Sequence, residues 1–246
     1  MNVPFLTAEW RWLLLMNYEC DPRAVQPYLP AGTELDAWNN THYVSMVGFL
    51  FLDTRVRGLA IPLHRNFEEV NLRFYVRYKA NGAWRRGVVF IKELVPRWAI
   101  ATVARSVYGE NYQCLPMRHN VAPPTSNALS IVQYEWRHQR QWNAMRATIA
   151  GVPRLLVAGS EEEFISEHYW GYTRQRSGRT MEYRVDHPSW RVWHAEGATL
   201  QCDAASLYGP AFAEVLSTAP KSAFVAEGSE VSVMMGRPLD LVTSGA

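Results

Sequence analysis

From Glu69 to Lys79 the chain alternates with a period of two. Val70, Leu72, Phe74, Val76 and Tyr78 fall on one face; Glu69, Asn71, Arg73, Tyr75, Arg77 and Lys79 fall on the other. Glu69, Asn71 and Arg73 are thereby set side by side along one direction. A carboxylate and a guanidinium in such a row suit proton transfer and the holding of a planar anion. The pattern by itself favours the plainer outcome, a half-exposed antiparallel strand whose polar face meets water, over a strand whose polar face lines a cavity.

Other chemical signatures are few. A glycine-rich phosphate loop, HExxH, GxSxG and a dinucleotide fingerprint are all absent from the sequence. The His residues are scattered, and His187 and His194 have no helical i, i+4 partner, so no metal site is expected. Cys114 lies five residues before His119, but nothing in that spacing acidifies the thiol, and a small hydrophobe is the simpler role. Of Lys79, Lys92 and Lys221, only Lys92 sits in an otherwise apolar strand, where it reads as an ion-paired or snorkelling side chain. Arg137-His138-Gln139-Arg140-Gln141-Trp142, with Arg146 beyond, mixes cations with a ring as a nucleic-acid surface does. A solvated hairpin turn accounts for it, and no nucleic-acid partner is expected.

Turn signals recur about every ten residues, with no repeat or linker between residues 4 and 238, which argues for a single strand-rich domain over 1–246 with a loose tail from about Thr243. Trp10 to Glu19 is a strand that alternates less cleanly than it is apolar, as expected when both faces are covered. Asp21-Pro22 opens a short helix that Pro30-Ala31-Gly32 ends. Strands over 34–38 and 42–53 flank Asn39-Asn40, and Asn81-Gly82 turns the Glu69 strand into one over 87–95. Pro96 opens a helix with Ile100, Val103, Ala104 and Val107 on one face and Gly109 as its stop. Strands over 128–136, 142–150, 169–175, 180–185, 190–194 and 229–235 follow, with a Ser160 capping box and a helix over 204–216 interrupted at Gly209-Pro210. This order is α+β, mainly antiparallel and partly closed, unlike the strand–helix alternation of a doubly wound sheet.

With 48% hydrophobic and 20% charged residues, the 246-residue chain has a sizeable core and is neither disordered, collagenous nor a coiled coil. A net charge of +2 is too mild to demand a polyanionic partner, although it arises from 22 Arg and only three Lys. Leu13-Leu14-Leu15-Met16 is far short of the roughly 18 apolar residues of a membrane span, and no basic segment precedes it. With three widely spaced Cys, the expectation is a soluble, reduced, cytoplasmic chain. Ten Trp, 12 Tyr and nine Phe place ring surfaces in the interior, a cavity or an oligomer contact, with no stoichiometry legible.

The segment Leu13 to Val25 continuing through Leu29-Pro30 resembles the amino-terminal strand and "TDPxAL…P" helix of the acetoacetate decarboxylase superfamily. Phe67-Glu68-Glu69-Val70 resembles its "YxE" strand, and Ala99-Ile100-Ala101 through Tyr112-Gln113 its "AIAxGREIxGxPKK" helix and loop. Over nearly the whole chain the closer resemblance is to a YqjF-like bacterial family of unknown function within that superfamily. It is carried by Tyr28 to Leu35, His64 to Arg73, Pro116-Met117-Arg118-His119, Glu167 to Tyr172 and Glu182 to Pro188.

The resemblance implies an acetoacetate decarboxylase-like α+β fold, a partly closed β-barrel around a central cavity. In those decarboxylases a lysine of the "PKK" loop forms a Schiff base with an oxo acid. Here Tyr112 stands in the place of that lysine and Gln113 in that of its cationic neighbour, and tyrosine cannot make an imine. Glu69 matches the acidic pocket residue, which turns the Glu69–Asn71–Arg73 face into an expected cavity wall. The implied catalytic set is Glu69 as proton acceptor, Tyr112 as donor and Arg73 as anion holder. Asn71, Gln113, Arg118, His119, His168, Tyr172 and Arg184 are expected to bind the ligand, a small carbonyl or carboxylate metabolite, with no cofactor. Lyase, dehydratase or enol-type proton transfer is the implied enzyme class. The alternative is a non-catalytic ligand-binding or oligomeric scaffold protein that kept the cavity after losing the lysine.

Overall fold

The structure, a computed structural model, describes residues 3–107, 109–124 and 128–239, and for residues 103–107 the backbone alone. The tail from Thr243 and the helix face of Val103, Ala104 and Val107 lie outside the described residues.

Among these residues the strands form a thirteen-stranded sheet and a four-stranded one. In the large sheet, Ser222–Val233, Leu6–Glu19, Tyr43–Val56, Phe67–Ala80, Ala83–Val95, Trp170–Arg174 and Thr180–Asp186 are successive neighbours. The last pairs back to the first through Val185 with Val233 and Asp186 with Ser232. Two residue pairs close the ring at one end only, so the sheet is partly ring-closed and falls short of a regular barrel. Pairing is antiparallel except where Ala83–Val95 meets Trp170–Arg174 and Tyr112–Cys114.

Turn chemistry sets the hairpins. Asn39 and Asn40 hold φ of 47° and 65°, Asn81 and Gly82 49° and 83°, and Gln139 and Arg140 46° and 68°. Paired left-handed residues match the twist of two-residue hairpins. The third of these lies inside the Arg137–Trp142 stretch, between Ser130–His138 and Gln141–Ile149.

Two β-bulges decide which residues look inward. In Leu6–Glu19 the register breaks around Trp12, which has φ of 57°. Leu6 and Trp10 line the interior cavity before the break and Leu13 after it. That phase change is why the apolar run lacks a clean alternation. In Ala83–Val95, Leu72 pairs with Lys92 but Arg73 with Phe90, leaving Ile91 unpaired in the ladder. Val88 and Phe90 face the cavity before the bulge and Glu93 beyond it. The Ile91 carbonyl accepts a hydrogen bond from Asn111 Nδ2 at 2.9 Å, tying the bulge to the following loop.

The opposite face of the large sheet carries Met46, Leu72 and Phe74 against Tyr134, Trp136 and Met145 of the four-stranded sheet, made by Met117–Val121, Ser130–His138, Gln141–Ile149 and Glu196–Gln201. Gly48 permits the close approach: a Cβ there would overlap Met145 and the Tyr134 ring. Helices Ala204–Tyr208 and Pro210–Leu216 cover the same side, split at Gly209 as Pro210 requires. Asp21 caps Pro22–Val25 and Ser160 caps Glu161–Ser166 as expected from sequence. The structure departs from expectation in adding the strands Met117–Val121 and Glu196–Gln201 and in starting the last long strand at Ser222 instead of Ser229. Gly228, with φ of 81°, masks that longer strand in the sequence because it sits against the Trp10 carbonyl at a strand irregularity. Among the described residues, no helix is long and apolar enough to cross a membrane.

Candidate active-site cavity

Between the concave face of the ring and the helix Trp98–Val107 lies a cavity of about 140 Å³. Its polar wall follows from strand register. Val47, Asn71, Glu93 and Tyr112 form one row across four adjacent strands, each paired with the next, and Phe49 with Glu69 lies one step along. Tyr112 enters this row because the chain after the helix returns as a short strand parallel to Ala83–Val95. Glu110 and Tyr183 complete the wall.

Three carboxyls, Glu69, Glu93 and Glu110, are buried within this wall. Glu69 Oε1 accepts a hydrogen bond from Asn71 Nδ2 at 3.0 Å and Oε2 one from Tyr112 Oη at 3.1 Å. Tyr112 also hydrogen-bonds Glu93. Tyr183 Oη donates to Glu110 at 3.0 Å. Arg73 donates from Nη2 to the Ile165 carbonyl at 3.1 Å, and its guanidinium lies over the Tyr75 ring. His168 packs tilted against the Tyr75 ring and edge-on to Phe164.

Burial dominates the electrostatics. It pushes Glu69 up to about 7 against the opposing effects of the Asn71 and Tyr112 hydrogen bonds and the Arg73 charge. It pushes Glu110 up to about 8, with the Glu69 charge adding and the Tyr183 and Thr173 hydrogen bonds subtracting. Glu93 is raised well above the ordinary carboxyl range by burial and by the charges of Glu110 and Glu69. Burial and the charges of Glu69 and Glu93 hold Tyr112 as a neutral phenol, and burial with Arg86 and Arg73 keeps His168 neutral. At neutral pH the wall is therefore two carboxylic acids, two phenols and one carboxyl poised between its forms.

Of the residues expected from sequence, Glu69, Asn71, Arg73, Tyr112 and His168 meet at this wall. Gln113, Arg118, His119, Tyr172 and Arg184 are placed elsewhere. Parity explains three of them: Gln113, Tyr172 and Arg184 each follow a cavity residue, Tyr112, Gly171 and Tyr183, and successive strand residues point to opposite faces. Tyr172 is buried in the core on the far side of the sheet, and Arg184 pairs with Asp186 near solvent. Arg118 is held by both oxygens of Glu135 and stacks over Trp142 on the four-stranded sheet. His119 Nδ1 lies 2.6 Å from Glu68 Oε1, and Cys114 is a free, exposed thiol. Sequence reading misses Glu93 and Glu110, whereas Tyr183 of the Tyr183-Arg184 pair is a pocket candidate that does line the cavity. Glu110 stands inside a segment that carries the resemblance, and Glu93 is hidden by the bulge.

None of the three lysines lines the cavity. Lys92 points to the opposite face, where Nζ donates to the Leu207 carbonyl; Lys79 is exposed and Lys221 pairs with Glu19. Among the described residues no cluster of His, Cys, Asp and Glu has the arrangement of a metal site.

Gly171 is a positioning element, since a Cβ there would overlap the Tyr183 ring that holds Glu110. Gly171→Ala is expected to displace that ring and destabilise the protein by about 1–3 kcal/mol, the usual cost of overpacking. Urea denaturation at one pH checks it; an unchanged midpoint would mean the ring has room to move.

This ring of strands over a buried acid wall has the acetoacetate decarboxylase-like α+β fold. The chain matches acetoacetate decarboxylase from Legionella pneumophila subsp. pneumophila str. Philadelphia 1 with a TM-score of 0.68 at 15% identity, over 96% of this chain and 87% of that one. It matches the enduracididine biosynthesis enzyme MppR complexed with pyruvate with a TM-score of 0.68 at 13% identity, over 97% and 91%. The family model DUF2071, described as an uncharacterized conserved protein (COG2071), matches residues 7–230, and the chain belongs to that family. It is also 26% identical over 190 residues to the uncharacterized protein YqjF of Bacillus subtilis (strain 168), covering 76% of this chain and 74% of that protein.

Proposed function

We propose that this protein binds a small carbonyl compound in the cavity and moves a proton at the carbon next to the carbonyl, without forming an imine. The observation that carries this reading is Glu69. It is a buried carboxyl titrating at about 7, held by Asn71 and Tyr112 on a wall that contains no lysine. As carboxylate, Glu69 takes the proton from carbon. The charge that develops on the carbonyl oxygen is met by O–H donors, the neutral acids Glu93 and Glu110 and the Tyr112 phenol, whose one proton turns from Glu69 to the oxygen as Glu69 takes the proton from carbon. A carboxylic acid kept protonated beside a tyrosine is a recognised way to stabilise an enolate. Arg73 is the cation available for a ligand carboxylate. Loss of the proton from carbon gives the enolate, and its return to carbon restores the carbonyl compound, so that the reversible step exchanges the α-hydrogen with solvent; expulsion of a hydroxyl from the next carbon, protonated by one of the acids as water leaves, gives dehydration. One fold neighbour is complexed with pyruvate and another is an acetoacetate decarboxylase, so oxo acids are the ligands to try first.

The test is solvent-deuterium exchange at the α-carbon of 2-oxo acids, followed by NMR. Enzyme-dependent exchange is expected; binding without exchange would support the non-catalytic alternative. Borohydride treatment with pyruvate or acetoacetate is expected to add no mass to the protein. A stable adduct on Lys92 would overturn the imine-free chemistry.

A further inference from the structure

We propose that the physiological ligand carries a compact apolar group of branched-alkyl or ring size beside its carbonyl, in place of a second charged or hydroxylated end. This rests on the reading of the acid wall as the carbonyl-handling end of the cavity.

The cavity is asymmetric along the strands. Two residues from Glu69 along the same strand is Phe67, a step of about 7 Å. There Phe67 pairs in register with Phe51, their rings stacked at 4.7 Å. Trp10 closes that end from the adjacent strand, its ring edge-on to Phe49 at 5.3 Å and to Phe51 at 5.7 Å. Val56 and Ile61 extend the same apolar wall. The three acids, Tyr112, Asn71 and Arg73 are thus at one end, and the other is hydrocarbon apart from His64, whose Nδ1 lies 2.8 Å from the Pro62 carbonyl; Tyr183 reaches between them, packed against Trp10 and Val56. A charged or hydroxylated tail would lose water against these rings with His64 alone to offer a compensating hydrogen bond. A methyl group would leave most of the aromatic wall uncovered. The volume of about 140 Å³ also limits the ligand, being close to that of apolar cavities that take a benzene-sized molecule. Those limits define a carbonyl compound of roughly six to ten non-hydrogen atoms with an apolar substituent.

Three 2-oxo acids separate the possibilities: pyruvate, 4-methyl-2-oxopentanoate, and 2-oxoglutarate, which matches the second in size but ends in a carboxylate. Calorimetric affinities and α-deuterium exchange are measured for each on the full chain. The branched acid is expected to bind at least about tenfold tighter than pyruvate, from the burial of its added hydrocarbon. 2-Oxoglutarate is expected to bind more weakly than pyruvate. Phe67→Ala, checked by its melting curve, is expected to shrink the preference for the branched acid to below about threefold; should that variant not fold, the native series decides alone. Equal affinity for all three, or tightest binding of 2-oxoglutarate, would overturn this inference while Glu69-dependent exchange kept the proposed chemistry. Preferential binding of the branched acid without exchange would support the inference and remove the chemistry. Failure of all three to bind at millimolar concentration would overturn both.

Discussion

Glu69→Gln is expected to lower α-proton exchange by about a hundred- to ten-thousand-fold, the range for loss of a positioned general base, while ligand binding is retained. The amide preserves the shape of the wall but cannot accept the proton. Tyr112→Phe removes an O–H donor from between Glu69 and Glu93 and is expected to act in the same direction. In the native protein the rate should rise with pH through about 7 as Glu69 ionises. It should fall again at higher pH as Glu110, at about 8, and Glu93 lose the protons that face the developing oxyanion. Because these carboxyls interact, the two limbs report the cluster as a unit. NMR exchange rates between pH 5 and 9 check the profile. An acidic limb that survives in Glu69→Gln would remove the base assignment.

The second large effect is on stability. In the unfolded chain the three carboxyls titrate near the ordinary glutamate value of about 4.3. In the folded chain burial raises all three. Over the interval between those values the folded state holds protons that the unfolded state has released, so stability falls as pH rises. The contribution is fully present below the unfolded value and is lost by the time the folded groups ionise, near 7 for Glu69 and 8 for Glu110. Each group kept protonated contributes a slope of about 1.4 kcal/mol per pH unit. The protein is therefore expected to lose stability from pH 5 to 8. Glu93→Gln, neutral at every pH and of the same shape, is expected to flatten that decline and to be more stable than the native protein at pH 8. Urea denaturation at four pH values measures both slopes, and parallel curves would show that Glu93 is not held protonated by the fold.

The parts that were legible before folding are those set by local chemistry. Paired left-handed Asn residues mark the hairpins, Asp21 and Ser160 mark helix starts, and the two-residue period of Phe67–Ala80 puts Glu69, Asn71 and Arg73 on one side. The resemblance sets Tyr112 where those decarboxylases carry a nucleophilic lysine, and Tyr112 does line the cavity. Glu93 was not legible, because a strict alternation running from Val88 and Phe90 puts Lys92 on the cavity side. The bulge at Ile91 reverses that assignment, sending Lys92 to the Leu207 carbonyl and Glu93 to the acid wall. Gln113 and Arg184 lie in the same contiguous segments as the cavity residues Tyr112 and Tyr183, but the pleat turns each to the opposite face.

By itself the chain of residues determined which side chains could do acid–base chemistry and which strand would carry the first of them, since turn, cap and alternation depend on neighbours a few positions apart. Only the tertiary structure decided that the Glu69–Asn71 part of that strand's polar face is buried, that Glu93 and Glu110 join Glu69 there, and that an aromatic wall lies beyond them. Those facts depend on bulges and on strand partners distant in sequence, and burial, which raises the carboxyls toward neutrality, exists only once the ring has closed around them.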